Sequence, residues 1–272
     1  ISECLVGSEM CIRDSTLRQH GQIAVTDGNA DFTAGSAFRQ YGDIILANGS
    51  GTVSSGGDAL QAGKLVAQKG SIAVTAANDL KNTGTISAAA KLDINTVKDI
   101  TQIQGVMIGG NGTVVNANNL TNNGGVIFSG ADIDLTIKNK LQNLNSASIY
   151  AQGDVTIGSG TGKTAELLNQ SSTIRGDKNV HIAAESLTNE KREFITGWDV
   201  TETDHDIALP GFSLSGKYYN ARRYFHRVVQ DGTIYLDSPA AYILSGADMT
   251  IDADTVDNEY SFITAGHDLD LA

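Results

Sequence analysis

The chain has 272 residues and a formal net charge of -12. That balance lacks the basic face needed to bind nucleic acid and excludes a polybasic membrane anchor. Apolar residues are 40 % of the chain, aromatics 6 %, Gly 30 residues and Pro 2. Such a mix suits thin repeated layers, and no run of about 18 apolar residues exists to span a bilayer as a helix.

Residues 5–15 (LVGSEMCIRDS) resemble a one-frame translation of a sequencing-library adaptor. Residues 1–15 are therefore read as an artefact and set aside. Both cysteines, Cys4 and Cys11, fall there, so residues 16–272 contain none. Disulfides, thiolate nucleophiles and Cys-ligated metals go with them. Without Glu3, Glu9, Asp14 and Arg13 the net charge becomes -10. A Cys-free chain fits an exported bacterial protein, and the sequence reads as an internal fragment of something longer.

Residues 16–189 are predicted to form a β-solenoid. In residues 16–65 the pattern is weak, carried by IAV at Ile23–Val25 and IILANGSG from Ile44. From Val66 it is regular. A β-branched residue is followed six residues later by an aliphatic-x-aliphatic pair, in copies at Val66, Ile86, Ile127, Ile149, Ile174, Ile243 and Ile263. The long gap after Ile86 leaves room for a degenerate copy near 108–114. Upstream of most copies an aliphatic residue precedes Asn by two, at Leu80, Leu120, Leu141, Leu167, Leu187 and Val256.

Aliphatic-x-aliphatic pairs are short strands with one buried face. The Gly and small residues between them suit tight turns. Each unit is too short for its own core and must stack on the next. A period of 20–25 residues without helical periodicity predicts an all-β fold, a right-handed parallel β-helix. The recurring Asn residues either stack as side-chain ladders or serve as turn formers.

The repeat stops at residues 190–239 and resumes at 240–272. Nine of 16 aromatics lie within 190–242, with the only Trp (Trp198) and both prolines. Phe194, Thr196, Trp198 and Val200 alternate, as do Tyr219, Ala221, Arg223, Phe225 and Arg227. This predicts two antiparallel arms joined by an acidic loop over 201–216. The acidic stretch 201–206 then lies opposite the basic run 222–227, where it would neutralise it. The excursion is either a cover for one face of the shaft or a contact surface. On the second reading the contact residues are Trp198, Tyr219, Arg223, Tyr224 and Phe225, planar groups that suit binding.

The alternation of L-x-N with I-x-x-G-x-D-[LIVM]-x-[IL] resembles the filamentous haemagglutinin repeats of two-partner-secreted exoproteins. These include haemagglutinin adhesins and the stick proteins of contact-dependent growth inhibition; residues 237–271 carry the likeness most fully. The resemblance implies a structural shaft that is secreted to the bacterial cell surface. It also implies an outer-membrane partner transporter for the parent protein and, at its target, a receptor. With the acidic charge and the lack of a long apolar run, no nucleic-acid partner and no membrane span are expected.

Catalytic motifs are not found. Arg175, Gly176 and Asp177 spell an adhesion tripeptide, but they occupy a repeat turn where Gly and Asp are expected anyway. Asp204, His205 and Asp206 have no second His at ligand spacing. His181 and His267 fall on strands of the repeat. Asp132, Asp154, Asp248 and Asp268 come one per coil, as turn formers rather than an acid–base pair. The expectation is a non-enzyme without cofactor or metal. The alternatives are a receptor-binding module acting through 190–239 and, more remotely, a β-helical polysaccharide-degrading enzyme.

Overall fold

The computed structural model describes residues 10–12, 15–160 and 162–272, and only the backbone of residues 10–12, 203–210, 212, 214 and 219–225. Two compact units result: one holds the chain up to Arg192 and from Pro239 onward, the other is Glu193–Ser238. Most of the proposed adaptor lies outside the described residues. Of its described residues, Met10–Ile12 pair in parallel with the strand Ala30–Ala34, and the Ser15 carbonyl accepts the Ser36 N–H at 3.4 Å.

The first unit is a parallel β-solenoid. One face is a ten-stranded narrow sheet that runs in chain order from Ile23–Val25 to Phe262–Ala265. The other is a broad sheet to which each coil gives two segments, such as Leu92–Thr96 and Asp99–Ile103. In most later coils the segments fuse into one strand, as in Thr113–Asn123, whose pairing carries a bulge between Ala117 and Asn119, though Val155–Gly158 and Thr164–Gln170 stay separate. At about 4.8 Å per coil, ten strands span about 43 Å.

Identical positions stack. Ile44, Leu65, Ile86, Met107, Ile127, Ile149, Ile174 and Ile243 form one column inside the narrow sheet. All eight are 0–1 % exposed. The first regular copy therefore starts at Leu65, one residue before the expected Val66, because its turn to Ile72 is one residue longer than the later ones. The degenerate copy is real and begins at Met107, opposite Ile86. Its strand ends at the bare Gly109, and Thr113 stands where Leu92 and Ile133 stand in its neighbours. The Thr113 hydroxyl donates to the Phe128 carbonyl at 2.9 Å, so this polar core position is satisfied.

Core volume is conserved coil by coil rather than position by position. Leu46 faces Gly51, where an added Cβ would lie 2.7 Å from the Leu46 Cδ1. One coil on, the sizes are exchanged: Ala67 precedes Ile72. Residues 16–65 are thus coils like the rest, with a pattern disguised by this exchange.

The recurring amides form a ladder through the core. Its rungs are Gln19, Gln40, Gln61, Asn82, Gln102, Asn122, Asn143, Asn169, Asn189 and Asn258. From Asn82 onward each side-chain amide donates to the next rung, at 2.7–3.0 Å. Each of Asn82, Gln102, Asn122, Asn143, Asn169 and Asn189 also donates to a narrow-sheet carbonyl further along, from Val106 to Phe262. Asn122 and Asn169 additionally hold a carbonyl of their own turn, Gly125 and Ser172. Ladder and turn former are therefore one device. The earlier Gln rungs bond chiefly to backbone, and Gln40 Oε1 has no partner.

The excursion leaves at the corner after Asn189. Ser171 closes that corner: its hydroxyl accepts from the Arg192 N–H at 2.9 Å and donates to the Pro239 carbonyl at 2.7 Å. It does so from a left-handed backbone, φ 47°, a conformation that costs a non-glycine residue about 1–2 kcal/mol. Among the described residues the core cluster contains none between Leu187 and Ile243.

The second unit is a long antiparallel hairpin, Phe194–Leu214 with Lys217–Asp237. The expected acidic loop over 201–216 is mostly strand. The turn is two residues, Ser215 and Gly216, both at positive φ (50° and 71°), the arrangement that matches strand twist. Pro210 sits where the register shifts between Leu209 and Phe212, a bulge that spares it a ladder bond.

Candidate functional site

Hairpin register divides the side chains between two faces. Thr196, Trp198, Val200 and Glu202 share a face with Ile234, Gly232, Gln230 and Val228. There Trp198 is 68 % exposed, Val200 52 %, Val228 48 % and Ile234 57 %. The Trp198 ring lies across Gly232, 3.5 Å from where a Cβ would stand. The other face is polar at this level. Thr233 and Tyr235 donate to the Asp199 carboxylate at 2.7 and 2.8 Å. Those bonds hold the Asp199 carboxyl below its ordinary range and the Tyr235 phenol above its own.

The same register separates the expected contact residues. Position 224 shares the face of Trp198, whereas 219, 223 and 225 alternate onto the opposite face. The side chains of 219–225 lie outside the described residues. The acidic and basic stretches do face each other, but not acid to arginine. Asp204 stands opposite His226, Asp206 opposite Tyr224, and Arg227 and Arg223 opposite Thr203 and Ile207. Arg223 and Arg227 thus fall on the face opposite Glu202, Asp204 and Asp206, whereas Arg222 shares theirs.

On the narrow sheet, Arg175, Gly176 and Asp177 are tied into the coil. Gly176 is a core position: an added Cβ would meet the Asn179 carbonyl at 2.7 Å and Val180 Cγ2 at 3.2 Å. The Arg175 guanidinium bonds Asp177 at 2.7 Å and lies 5.2 Å over the Tyr150 ring. The Tyr150 hydroxyl donates to Asp177 at 2.6 Å. That bond, then Arg175, keeps the Asp177 carboxyl below its usual range against the opposing effect of desolvation, and the same bond raises the Tyr150 phenol.

The one-per-coil acids cap backbone. Asp132, Asp154, Asn179 and Asp248 each accept an N–H of the following coil, from Asp154, Asn179, Asp248 and Asp268, at 2.9–3.3 Å. His181 points outward from its strand position, whereas His267 stands not on a strand but in the turn between Phe262–Ala265 and Leu269–Leu271, 3.8 Å from Asp248. Among the described residues no three His, Cys, Asp or Glu are grouped to hold a metal, and no helix is long and apolar enough to cross a membrane. The side chains of Asp204, His205 and Asp206 are outside the description.

Sequence reasoning missed two features. Lys163 bridges Asp252 and Asp254 at 2.8 and 2.6 Å, carboxylates that hold its ammonium above the ordinary range. This latch joins coils on either side of the Val180–Glu190 strand. The outer narrow sheet also carries ring pairs, Phe128 with Tyr150 at 5.5 Å and Tyr242 stacked on Phe262 at 5.2 Å. Their signal was available, since the residue next to each core Ile points outward.

Comparison with known families matches the haemagglutinin repeat over residues 15–102, 82–143, 129–204 and 235–272. No curated protein and no solved structure matches significantly. The matched segments cover both stretches of the solenoid, and the chain belongs to the haemagglutinin repeat family.

Proposed function

We propose that this chain is a shaft segment of a large filamentous exoprotein, a haemagglutinin adhesin or a contact-dependent growth inhibition stick. It would be secreted to the bacterial outer surface through an outer-membrane partner transporter and hold adhesive or effector modules away from the cell. The observation that carries this reading is the stacking itself. Ten narrow strands keep one register, and the core column passes from Ile174 to Ile243 across the excursion without a gap. A solenoid built this way is long, stiff and extendable by adding coils. The capping role of the one-per-coil acids supports a structural or adhesive part over a catalytic one.

A second reading, of residues 190–239 as a receptor-binding module, is favoured by the exposure of Trp198 and its neighbours. It would use Trp198, Tyr219, Arg223, Tyr224 and Phe225. The tripeptide at Arg175 has weaker support, because its charges are already engaged with each other.

Both readings meet in one experiment, replacement of Glu193–Ser238 by a short Gly/Ser turn in the parent protein. The flanking coils are expected to stay folded, with the melting temperature changed by only a few degrees. Surface display should persist and, on the second reading, target-cell binding should be lost. Unfolding of the shaft would contradict the first reading, and undiminished binding the second.

A further inference from the structure

We propose that Asn111 is a site of self-modification, at which the folded chain deamidates through a succinimide to aspartate and isoaspartate. The inference is independent of the shaft reading.

The site arises from a break in a column. At one corner of the solenoid a side chain of each coil caps the backbone of the next. Asn29 accepts the Ser50 N–H, Ser50 that of Ser71, and Ser71 that of Lys91, at 3.0–3.3 Å. Further along, Asp132, Asp154, Asn179 and Asp248 do the same for the coils that follow them. Between the two runs stand Lys91 and Gly112, in register with the rest of the column. An ammonium has no lone pair to offer, and glycine has no side chain. Among the described residues the Gly112 and Asp132 N–H groups therefore have no hydrogen-bond partner.

That gap coincides with an Asn-Gly pair. Asn111 is exposed, and Gly112 stands at φ 136°. An added Cβ at Gly112 would find only the Asp132 carbonyl, 4.0 Å away. The chain has two other Asn-Gly pairs, 48–49 and 123–124, and both are restrained. The Asn48 amide donates to Asp27 at 2.8 Å, and Gly49 is buried against the Gly28 carbonyl. The Gly124 N–H donates to the Leu144 carbonyl at 2.9 Å, and Asn123 Oδ1 accepts from Asn145 at 2.9 Å. Only at 111–112, among the three, do an untied amide and an uncapped neighbouring N–H occur together.

A peptide N–H without a hydrogen bond gives up its proton to base more readily than a protected one. The Gly112 nitrogen, once deprotonated, attacks Asn111 Cγ; the bond from Cγ to Nδ2 breaks and ammonia leaves. The five-membered succinimide then takes up water at either carbonyl. One opening gives aspartate, and the other routes the backbone through the side-chain carbon as isoaspartate. Water is the only co-reactant. Each event turns a neutral amide into a carboxylate. The isoaspartyl product also lengthens the backbone by one carbon, at a corner where the Asn111 N–H binds the Ala90 carbonyl and the Gly112 carbonyl the Leu92 N–H, both at 3.0 Å.

The test incubates the folded full chain at physiological temperature in mildly alkaline buffer and maps its peptides by mass spectrometry over time. The expected result is a mass gain of about 1 Da at Asn111, with isoaspartate in the product, several-fold faster than at Asn48 or Asn123. In denaturant, where the restraints are gone, the three rates should converge. A second arm repairs the column. Lys91→Ser restores the acceptor that Ser50 and Ser71 supply in their own coils. It should slow the reaction at Asn111 several-fold relative to Lys91→Ala, which leaves the Gly112 N–H bare. A folded chain in which Asn111 reacts no faster than the other two overturns the proposal. So does an equal rate at Asn111 in the two Lys91 variants.

Discussion

Replacing Ile149 by Asp is expected to destabilise the solenoid by about 5 kcal/mol or more. Ile149 is fully buried in the narrow-sheet column, between Ile127 and Ile174. The substitution removes an aliphatic side chain from both contacts and puts a carboxyl where no donor stands ready. Neutralising that carboxyl by protonation reduces the cost but leaves an unpaired hydroxyl in the core. Stacking makes the damage two-sided, because each coil is half of its neighbour's core. The matched control is Lys91→Ala. Lys91 is exposed and its ammonium lies 3.5 Å from Asp93, a surface pair worth about 0–1 kcal/mol. Thermal unfolding of the two variants should differ by many degrees, and equal melting temperatures would refute the column.

The second large effect concerns the amide ladder. Asn143→Leu, alike in branching and heavy-atom count, is expected to cost about 2–4 kcal/mol. Asn143 bonds no carbonyl of its own turn. It accepts from Asn122 at 2.9 Å and donates to Asn169 at 2.9 Å and to the Thr173 carbonyl at 3.0 Å. Leucine would leave buried polar groups of three neighbouring segments without this partner, which is costlier than the loss of one bond. Asn258→Leu, at an exposed rung, should cost far less. Equal losses at the two sites, by thermal or denaturant unfolding, would reduce the ladder to a set of independent turn formers.

The coil architecture was legible because strand alternation and turn composition repeat together. What escaped has local physical causes. KLVA at 64–67 offers two aliphatic phases, and only the longer turn before Ile72 decides for Leu65. Gln19, Gln40, Gln61 and Gln102 do the work of Asn with a longer side chain, so a search for L-x-N passes over them. The exchange of Leu46 and Gly51 for Ala67 and Ile72 keeps core volume while erasing sequence similarity. In the hairpin, charge density over 201–206 suggested a loop. The acids at 202, 204 and 206 fall on alternate positions, hence on one face of a strand, a pattern that suits a strand as well as a loop. The Ser215 and Gly216 turn was a better guide than the Pro210 and Gly211 pair, which falls at a bulge. The division of the contact candidates between two faces could not be read before the register was known.

The most direct test of the stacked architecture is a distance. Ala24 and Thr264 occupy equivalent outward positions at the two ends of the narrow sheet, nine coils apart. Spin labels at Ala24→Cys and Thr264→Cys, in a chain with Cys4→Ser and Cys11→Ser, should be about 43 Å apart by pulsed electron resonance, with a narrow distribution. Deletion of residues 86–106 removes one coil and joins Thr85 to Met107, in columns already adjacent. It should shorten that distance by about 5 Å and leave the chain folded. A broad distribution, an unchanged distance after the deletion, or loss of folding on removing a whole coil would contradict the stack.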